Sequence, residues 1–285
     1  MNSVSIVIPV YDLLGDKRLE YFKRLIAIIK CNFVEKNMCE LLNEIVVVND
    51  FPDDDIKKAV NNIFVENSLF EKLVLIENTI NYGQDKSRNI GFEHTTGNYI
   101  HFIDQDDFIS DDFYSNCLRY NTDLIISQPN IHLSNTGENN IYLKKLLKKK
   151  YAKAKKLIDL YYLLLLNICI SPGQYLIKRE SFIKAGRFPV LENKGSDDYG
   201  LLFKLSFIET RIKYVDSVTF YYCIHESQNR NSINLNMSTN EFFELIKNKL
   251  QLKRLKIIIK IRQSKYIQPI FSFILFKLFF YKIKY

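Results

Sequence analysis

The sequence predicts an α/β fold: a Rossmann-like half that continues into a second α/β part and ends in a basic helical extension. Three observations predict it. Residues 4–10 (VSIVIPV) form a continuous, β-branched apolar run, the pattern of a strand buried on both faces of a parallel sheet. Such runs alternate with stretches whose apolar residues recur at i, i+3, i+4 and i+7. The chain has 285 residues, 47% apolar and 25% charged, enough to build one core with an appendage.

Each element follows in order. After the first strand, Phe22, Leu25, Ile26, Ile29 and Phe33 mark a helical stripe. Residues 44–48 give a second strand, Asp50-Phe51-Pro52 a turn, and 53–66 a helix. A third strand is expected at 72–76, a helix at 86–94 closed by Gly97, and a fourth strand at 99–103 that runs into Asp104-Gln105-Asp106-Asp107. In open α/β sheets, ligands bind beyond such strand ends. A short helix near 112–120 and a strand at 124–127 precede residues 128–140, whose Asn and Ser content predicts a surface loop. Residues 141–158 interleave lysines with Leu143, Leu146, Leu147 and Tyr151, which predicts an amphipathic helix; its lysines are either a solvated face or a contact with anionic lipid or an acidic acceptor. Ser171-Pro172-Gly173-Gln174 marks a turn, 175–178 a strand, 199–208 a helix and 214–222 a late strand.

The net charge of +8 is unevenly spread. Residues 242–285 carry +10 and residues 141–158 carry +8, so the remainder carries −10. An acidic body with two basic patches, and no recognisable nucleic-acid module, argues against a nucleic-acid partner. Five scattered cysteines without C-x-x-C spacing indicate neither a disulfide framework nor a zinc site and fit a reducing cytoplasm. Residues 1–9 lack the features of a secretory signal, and no segment reaches the roughly 20 apolar residues that span a bilayer.

Asp104, Asp106 and Asp107 place three carboxylates within four residues, where they repel one another unless a cation or donors compensate. Hard oxygen ligands suit Mg²⁺ or Mn²⁺, and Mg²⁺ in particular takes one or two carboxylates plus substrate phosphates. Taken alone, such acidic triplets also occur in loops and at helix starts.

Their context is more specific. Residues 3–12 (SVSIVIPVYD), 44–50 (EIVVVND), 81–91 (NYGQDKSRNIG) and 96–107 (TGNYIHFIDQDD) occur in that order, and together they strongly resemble glycosyltransferase family 2. The resemblance is close from Ser3 to Phe108 and looser to Ser227. It implies a GT-A fold over residues 1–230, with 1–127 the nucleotide-sugar half with its mixed sheet and 128–230 the acceptor-binding part, and it leaves 231–285 as a basic tail. It implies transfer from a nucleotide-diphosphate sugar with inversion, UDP being the nucleotide expected. Carried over by position, Pro9 and Tyr11 lie along the nucleotide, Asp50 accepts from the base, and Arg88 contacts base or diphosphate. Asp104, Gln105 and Asp106 complete the donor set, with Asp104, Asp106 and Asp107 as metal ligands. Gly195-Ser196-Asp197-Asp198-Tyr199 resembles the family's acidic pair beside the acceptor, so Asp198, with Asp197 second, is nominated as the base that removes the acceptor proton. Ser196 or Asp197 as a plain helix cap is the other reading. His225 stands where many relatives have a histidine after an aromatic strand; contact with metal or diphosphate is one reading and an ordinary core or surface histidine the other.

The chain departs from the pattern in three places. Asp50-Phe51-Pro52 replaces Asp-Gly-Ser, and Asn49 stands where an acid is frequent. With no Trp, the Gln-x-x-Arg-Trp signature of processive synthases is absent, which points to transfer of a single sugar. Residues 242–285 alternate Lys and Arg with Leu, Ile and Phe, as an interfacial helix does on an anionic leaflet. Packing on the body or a contact between copies is the other reading of the tail. The expectation is a cytoplasmic enzyme, peripheral on the inner membrane face, that uses a lipid-linked glycan acceptor of capsule or related polysaccharide synthesis. A nucleotide-binding scaffold without activity is the alternative. A sugar-1-phosphate nucleotidyltransferase ranks lower, because the Gly-rich signature after the first strand is missing.

Overall fold

A computed structural model describes residues 2–15, 17–133, 145, 148–152, 169, 171–192, 197–224 and 241. Eight strands form one sheet: β1 (Val4–Val10), β2 (Leu42–Asn49), β3 (Leu73–Glu77), β4 (Tyr99–Phe102), β5 (Phe108–Ile109), β6 (Leu124–Leu133), β7 (Tyr175–Lys178) and β8 (Ile212–Ile224). Their spatial order is β3-β2-β1-β4-β7-β6-β8-β5. The first four are parallel, β7 is antiparallel to both β4 and β6, and β8 runs parallel to β6 and antiparallel to β5. One mixed sheet thus runs through both expected parts of the domain.

Helices cover both faces. The helix α1 (Arg18–Phe33) buries Phe22, Leu25, Ile26, Ile29 and Phe33, the predicted stripe, and packs with α2 (Lys57–Glu66) and α4 (Phe113–Cys117) over Ile6, Ile8 and Val47. The other face, around Val7, Val46 and Val48, carries α3 (Gln84–Glu93), α5 (Arg179–Ala185) and α6 (Asp197–Leu205). Strand residues alternate between two covered faces, so β1 is buried throughout. The polar helix α3 lies close to the sheet because Gly91 has no side chain: a Cβ there would sit 2.5 Å from Val7 Cγ1 and 2.9 Å from Val48 Cγ2.

Three expectations are corrected. Residues 128–133 continue β6 and pair with β8 after a register shift at Ser127/Gln128. The helix expected from residue 53 begins at Lys57, after a turn at Pro52–Asp53 and three irregular residues. Phe108–Ile109, not anticipated, pairs with the far end of β8. His225, the tail apart from Glu241, and most of the lysine-rich segment lie outside the described residues. Lys145 and residues 148–152 of that segment are helical, as the amphipathic pattern predicts, and Tyr151 is buried.

Candidate active site

The carboxyl ends of β1, β2, β3 and β4 lie side by side, and the loops that leave them carry the residues singled out by the motifs. At the end of β1, Tyr11 keeps its side chain exposed and sets its ring edge-on to Phe51, centroids 4.9 Å apart. Its backbone is fixed from the neighbouring strand end. The Tyr11 N–H donates to Gln105 Oε1 (3.0 Å), and Gln105 Nε2 donates back to the Tyr11 carbonyl (3.1 Å). Gln105 therefore ties the first loop to the acidic turn.

Asp50, expected to meet the base, is buried and faces the loop between β3 and α3. Its Oδ1 accepts from the Tyr82 N–H (2.8 Å) and Asn78 Nδ2 (2.9 Å), and its Oδ2 accepts from the Gly83 N–H (2.8 Å). Three of roughly four acceptor positions on the carboxylate are thus used to shape that loop. Gly83 has φ +87°, a conformation side chains disfavour, which explains the glycine of Asn81-Tyr82-Gly83. The substitution at 49 has a reason as well. Asn49 accepts from the Phe51 N–H (3.1 Å) and donates to the Asp54 carbonyl (3.1 Å), and an ionised acid cannot do the second. Beside this turn lies a depression of about 400 Å³ lined by Asp53, Asp54, Asp55, Glu77 and Lys57 among others, an acidic surface unfit for phosphate.

Phosphate chemistry fits the opposite side, around α3. Arg88 is buried, and its Nη2 donates to Asp104 Oδ1 at 2.6 Å as a salt bridge. One turn earlier on the same helix face, Gln84 Nε2 reaches the same oxygen (2.7 Å). Ser171 Oγ donates to the other oxygen of Asp104 at 3.5 Å. The turn Ser171-Pro172-Gly173-Gln174 is therefore a buried support beneath the acidic turn, and Ser171 and Gln174 are themselves buried.

Asp106 and Asp107 have opposite fates. Asp106 remains half-buried at the rim, and its carbonyl accepts from Arg24 Nη2 (2.8 Å). Asp107 is fully buried, with Oδ1 accepting from the Cys223 N–H (2.9 Å). Burial, reinforced by the charges of Asp106 and Asp104, pushes its carboxyl well above the usual range. Asp107, expected as a metal ligand, anchors the turn to β8 through its bond to the Cys223 N–H. Arg24 was not foreseen: it also donates to Cys223 Sγ (3.0 Å) and lies over the Phe108 ring at 4.2 Å, joining α1 to the acidic turn and β8.

Among the described residues, no three His, Cys, Asp or Glu side chains converge as a ready-made metal cluster. The donor set nevertheless suits a hard divalent cation. Asp104 and Asp106 stand at the rim, and their negative charge is concentrated enough to act on Asp107. One or two carboxylates plus a diphosphate is the ligand set that Mg²⁺ takes.

On the other side, Asp198 lies in the first turn of α6 and accepts from the Tyr199 N–H (2.6 Å) through Oδ1. Its charge reaches Cys169, two residues before Ser171, where burial already raises the thiol. The helix starts at Asp197, two residues earlier than expected; the side chain of Asp197 lies outside the described residues. Below the acidic turn, His101 of β4 is buried, stacked on Phe113 with centroids 5.2 Å apart. Its Nε2 meets the Gly173 carbonyl (2.9 Å) and so carries the proton, leaving Nδ1 to accept from the Tyr114 hydroxyl (2.6 Å). Burial lowers its pKa to about 4.

Residues 5–266 match the family described as glycosyltransferase like family 2. The glycosyltransferase GlyA of Streptococcus pneumoniae serotype 4 is 29% identical over 164 residues, 56% of this chain and 21% of that protein, so the chain spans about a fifth of that relative. Among solved structures, Staphylococcus aureus TarS residues 1–349 in complex with UDP-GlcNAc has a TM-score of 0.63 at 17% identity, covering 95% of this chain and 73% of that one. The mannosyltransferase PcManGT of Pyrobaculum calidifontis, in complex with GDP-Man and Mn²⁺, has a TM-score of 0.64 at 16% identity, covering 92% and 69%.

Proposed function

This chain belongs to glycosyltransferase-like family 2 and has its GT-A fold, and on that footing we propose that it moves one sugar from a nucleoside-diphosphate sugar to an acceptor hydroxyl. The observation that carries this reading is the buried Arg88, held by α3 against Asp104 at the carboxyl edge of the sheet. Diphosphate and metal need opposite charges side by side, and this pair supplies both. The complexes of TarS with UDP-GlcNAc and of PcManGT with GDP-Man and Mn²⁺ support a nucleotide-sugar donor. UDP is the nucleotide proposed.

In this reading Tyr11 and Pro9 border the nucleotide, and Asp50 shapes the loop 78–83 that closes over it. Asp104 and Asp106 would hold Mn²⁺ or Mg²⁺, with Asp107 as their support from below. When bound, such an ion supplies positive charge to the diphosphate as it departs. The protein's own residues do the rest. Arg88 and Gln84 fix the direction of the Asp104 carboxylate, Arg24 fixes the backbone of Asp106, and Gln105 keeps the two loops in register. Asp198 accepts the proton of the attacking hydroxyl from the face opposite the leaving group, and the product is inverted.

The acceptor is proposed to be a lipid-linked glycan of surface polysaccharide synthesis, reached at the inner membrane face. The support for this is the +10 charge of residues 242–285, interleaved with apolar side chains. No helix among the described residues is long and apolar enough to cross a membrane. The test is a thermal-shift and calorimetric screen of UDP, GDP, UDP-GlcNAc and GDP-Man with and without Mn²⁺. A ligand at 100 times its Kd stabilises by about 2.7 kcal/mol. UDP is expected to stabilise the protein with Mn²⁺, and Asp106→Ala is expected to remove the effect. Failure of every nucleotide to bind would overturn the reading.

A further inference from the structure

The segment between α5 and α6 is held from two sides, and neither grip is used by the chemistry described above. On one side, α3 carries two adjacent stripes. Gln84 and Arg88 reach Asp104, whereas Asp85 and Asn89, each one residue on, reach residues 188–191. Asn89 makes a reciprocal pair with a single backbone position about a hundred residues away. Its Nδ2 donates to the Phe188 carbonyl (3.1 Å), and its Oδ1 accepts from the Phe188 N–H (3.2 Å). One turn earlier, Asp85 Oδ2 accepts from the Leu191 N–H (2.9 Å). On the other side, Lys204 of α6 donates to the carbonyls of Gly186 and Arg187 (2.7 Å for the second). Those two residues both have positive φ, +78° and +62°, a left-handed turn that only Gly186 adopts without strain.

The side chain within this strap touches the donor side directly. Phe188 is buried beneath the Arg88 guanidinium, 5.4 Å from its ring centroid, and packs edge-on against Phe102 of β4 at 4.9 Å. A shift of the strap therefore displaces the packing under Arg88, and a shift of α3 pulls on the strap. Six residues beyond Leu191, α6 begins with Asp197 and Asp198. The helix that orients the donor-side carboxylate is thereby joined to the helix that presents the proposed base.

We infer that Asn89, seconded by Asp85, is a positioning residue that registers the Asp198 end of α6 against the Arg88–Asp104 pair by clamping the strap 186–191 to α3. This rests on the glycosyl-transfer reading and deepens it, since it assigns the coupling between donor side and base to residues that touch neither substrate. Nucleotide settling on the Arg88 side is expected to tighten the strap, and loss of the clamp to uncouple the two sides while the nucleotide still binds.

The test is amide hydrogen exchange over residues 84–93 and 186–205 of the full chain, with and without saturating UDP and Mn²⁺, in the wild type, Asn89→Ala and Asp85→Asn. Calorimetry measures UDP affinity of each. In the wild type, UDP should slow exchange of the Phe188 and Leu191 amides by about fivefold, within the usual range of coupling between sites. In Asn89→Ala that slowing should vanish while the UDP Kd changes by less than about threefold; Asp85→Asn, which keeps the size of the side chain and one acceptor oxygen, should retain part of it. A merely structural role would raise exchange along all of α3 equally with and without UDP. Equal UDP-dependent slowing in the wild type and Asn89→Ala would overturn the inference alone. Failure of UDP to bind the wild type would bring down the transfer reading, and the inference with it.

Discussion

The Arg88–Asp104 pair makes a quantitative prediction, because its two members are buried to different degrees. Arg88 is 2% exposed and Asp104 19%, with 2.6 Å between Nη2 and Oδ1. Removing one partner of a buried pair costs about 3–5 kcal/mol, because the other charge is left without compensation. Arg88→Met keeps the stem and deletes the charge. Asp104 then retains Gln84 at 2.7 Å and partial access to water, so the low end applies, about 3 kcal/mol. Asp104→Asn strands a guanidinium that water hardly reaches, so the high end applies, about 5 kcal/mol. The double variant leaves no stranded charge.

If the two effects were independent, the double variant would lose about 8 kcal/mol, enough to unfold many domains outright. The structure instead predicts a loss of no more than about 3 kcal/mol, and hence a coupling of at least about 5 kcal/mol. Urea unfolding measures it. With a slope of about 3 kcal/mol per molar, the midpoints should fall by about 1.0 M for Arg88→Met, about 1.7 M for Asp104→Asn and no more than about 1.0 M for the double variant. Midpoint shifts that add to within about 0.5 kcal/mol would refute a dominant charge pair at this position. All three variants should also lose UDP binding. A variant that unfolds normally and still binds UDP would separate stability from donor recognition.

Three further predictions follow from single contacts. Gly91→Ala drives a methyl into Val7 and Val48 and should cost about 1–3 kcal/mol in denaturant unfolding, because overpacking there displaces α3 from the sheet. Asp198→Asn should lower sugar transfer by about 10²–10⁴-fold, read as UDP release with membrane extracts supplied as acceptor, and leave UDP affinity by calorimetry unchanged; an unchanged rate would remove Asp198 as the base. His101 is neutral in the fold down to pH about 4, whereas in the unfolded chain it takes up a proton near its ordinary 6.5. The unfolded state therefore binds more protons between those values. The stability that neutral His101 contributes is complete above pH 6.5 and falls as the pH drops toward 4, by about 3 kcal/mol in order of magnitude. His101→Gln should flatten that part of the pH dependence of unfolding, and an equally steep slope in the variant would count against the assignment.

What could be read in the sequence, and what could not, divides by the range of the deciding contact. The strands of the parallel half were legible because burial on both faces demands an uninterrupted β-branched run, and residues 4–10 and 45–48 supply one without reference to anything distant. Residues 128–133 were missed for a related reason. Beyond the register shift, Pro129 and Ile131 are buried while Gln128, Asn130 and His132 are partly exposed, a period of two concealed by a polar composition and by a proline that argues against a strand. The partner that makes this segment a strand, β8, lies some ninety residues away.

The same distinction separates the acids of the turn. Asp106 and Asp107 are adjacent and chemically identical, and nothing local tells which one meets solvent. The Cys223 N–H, 116 residues away, turns Asp107 inward, and Arg24, 82 residues before Asp106 in the chain, holds the backbone that leaves Asp106 at the rim. Arg24 itself occupies an ordinary position on an amphipathic helix, between Lys23 and the buried Leu25, so its sequence neighbours carry no trace of its role. Conversely, the motif at 81–91 was legible as a unit because its parts answer to one helix. With 3.6 residues per turn, Gln84 and Arg88 share one stripe and Asp85 and Asn89 the next, so these four of the six polar residues 84–89 fall in two pairs that meet two separate partners. Spacing alone can thus give the number of contacts a buried polar helix makes, and only the folded chain gives their identity.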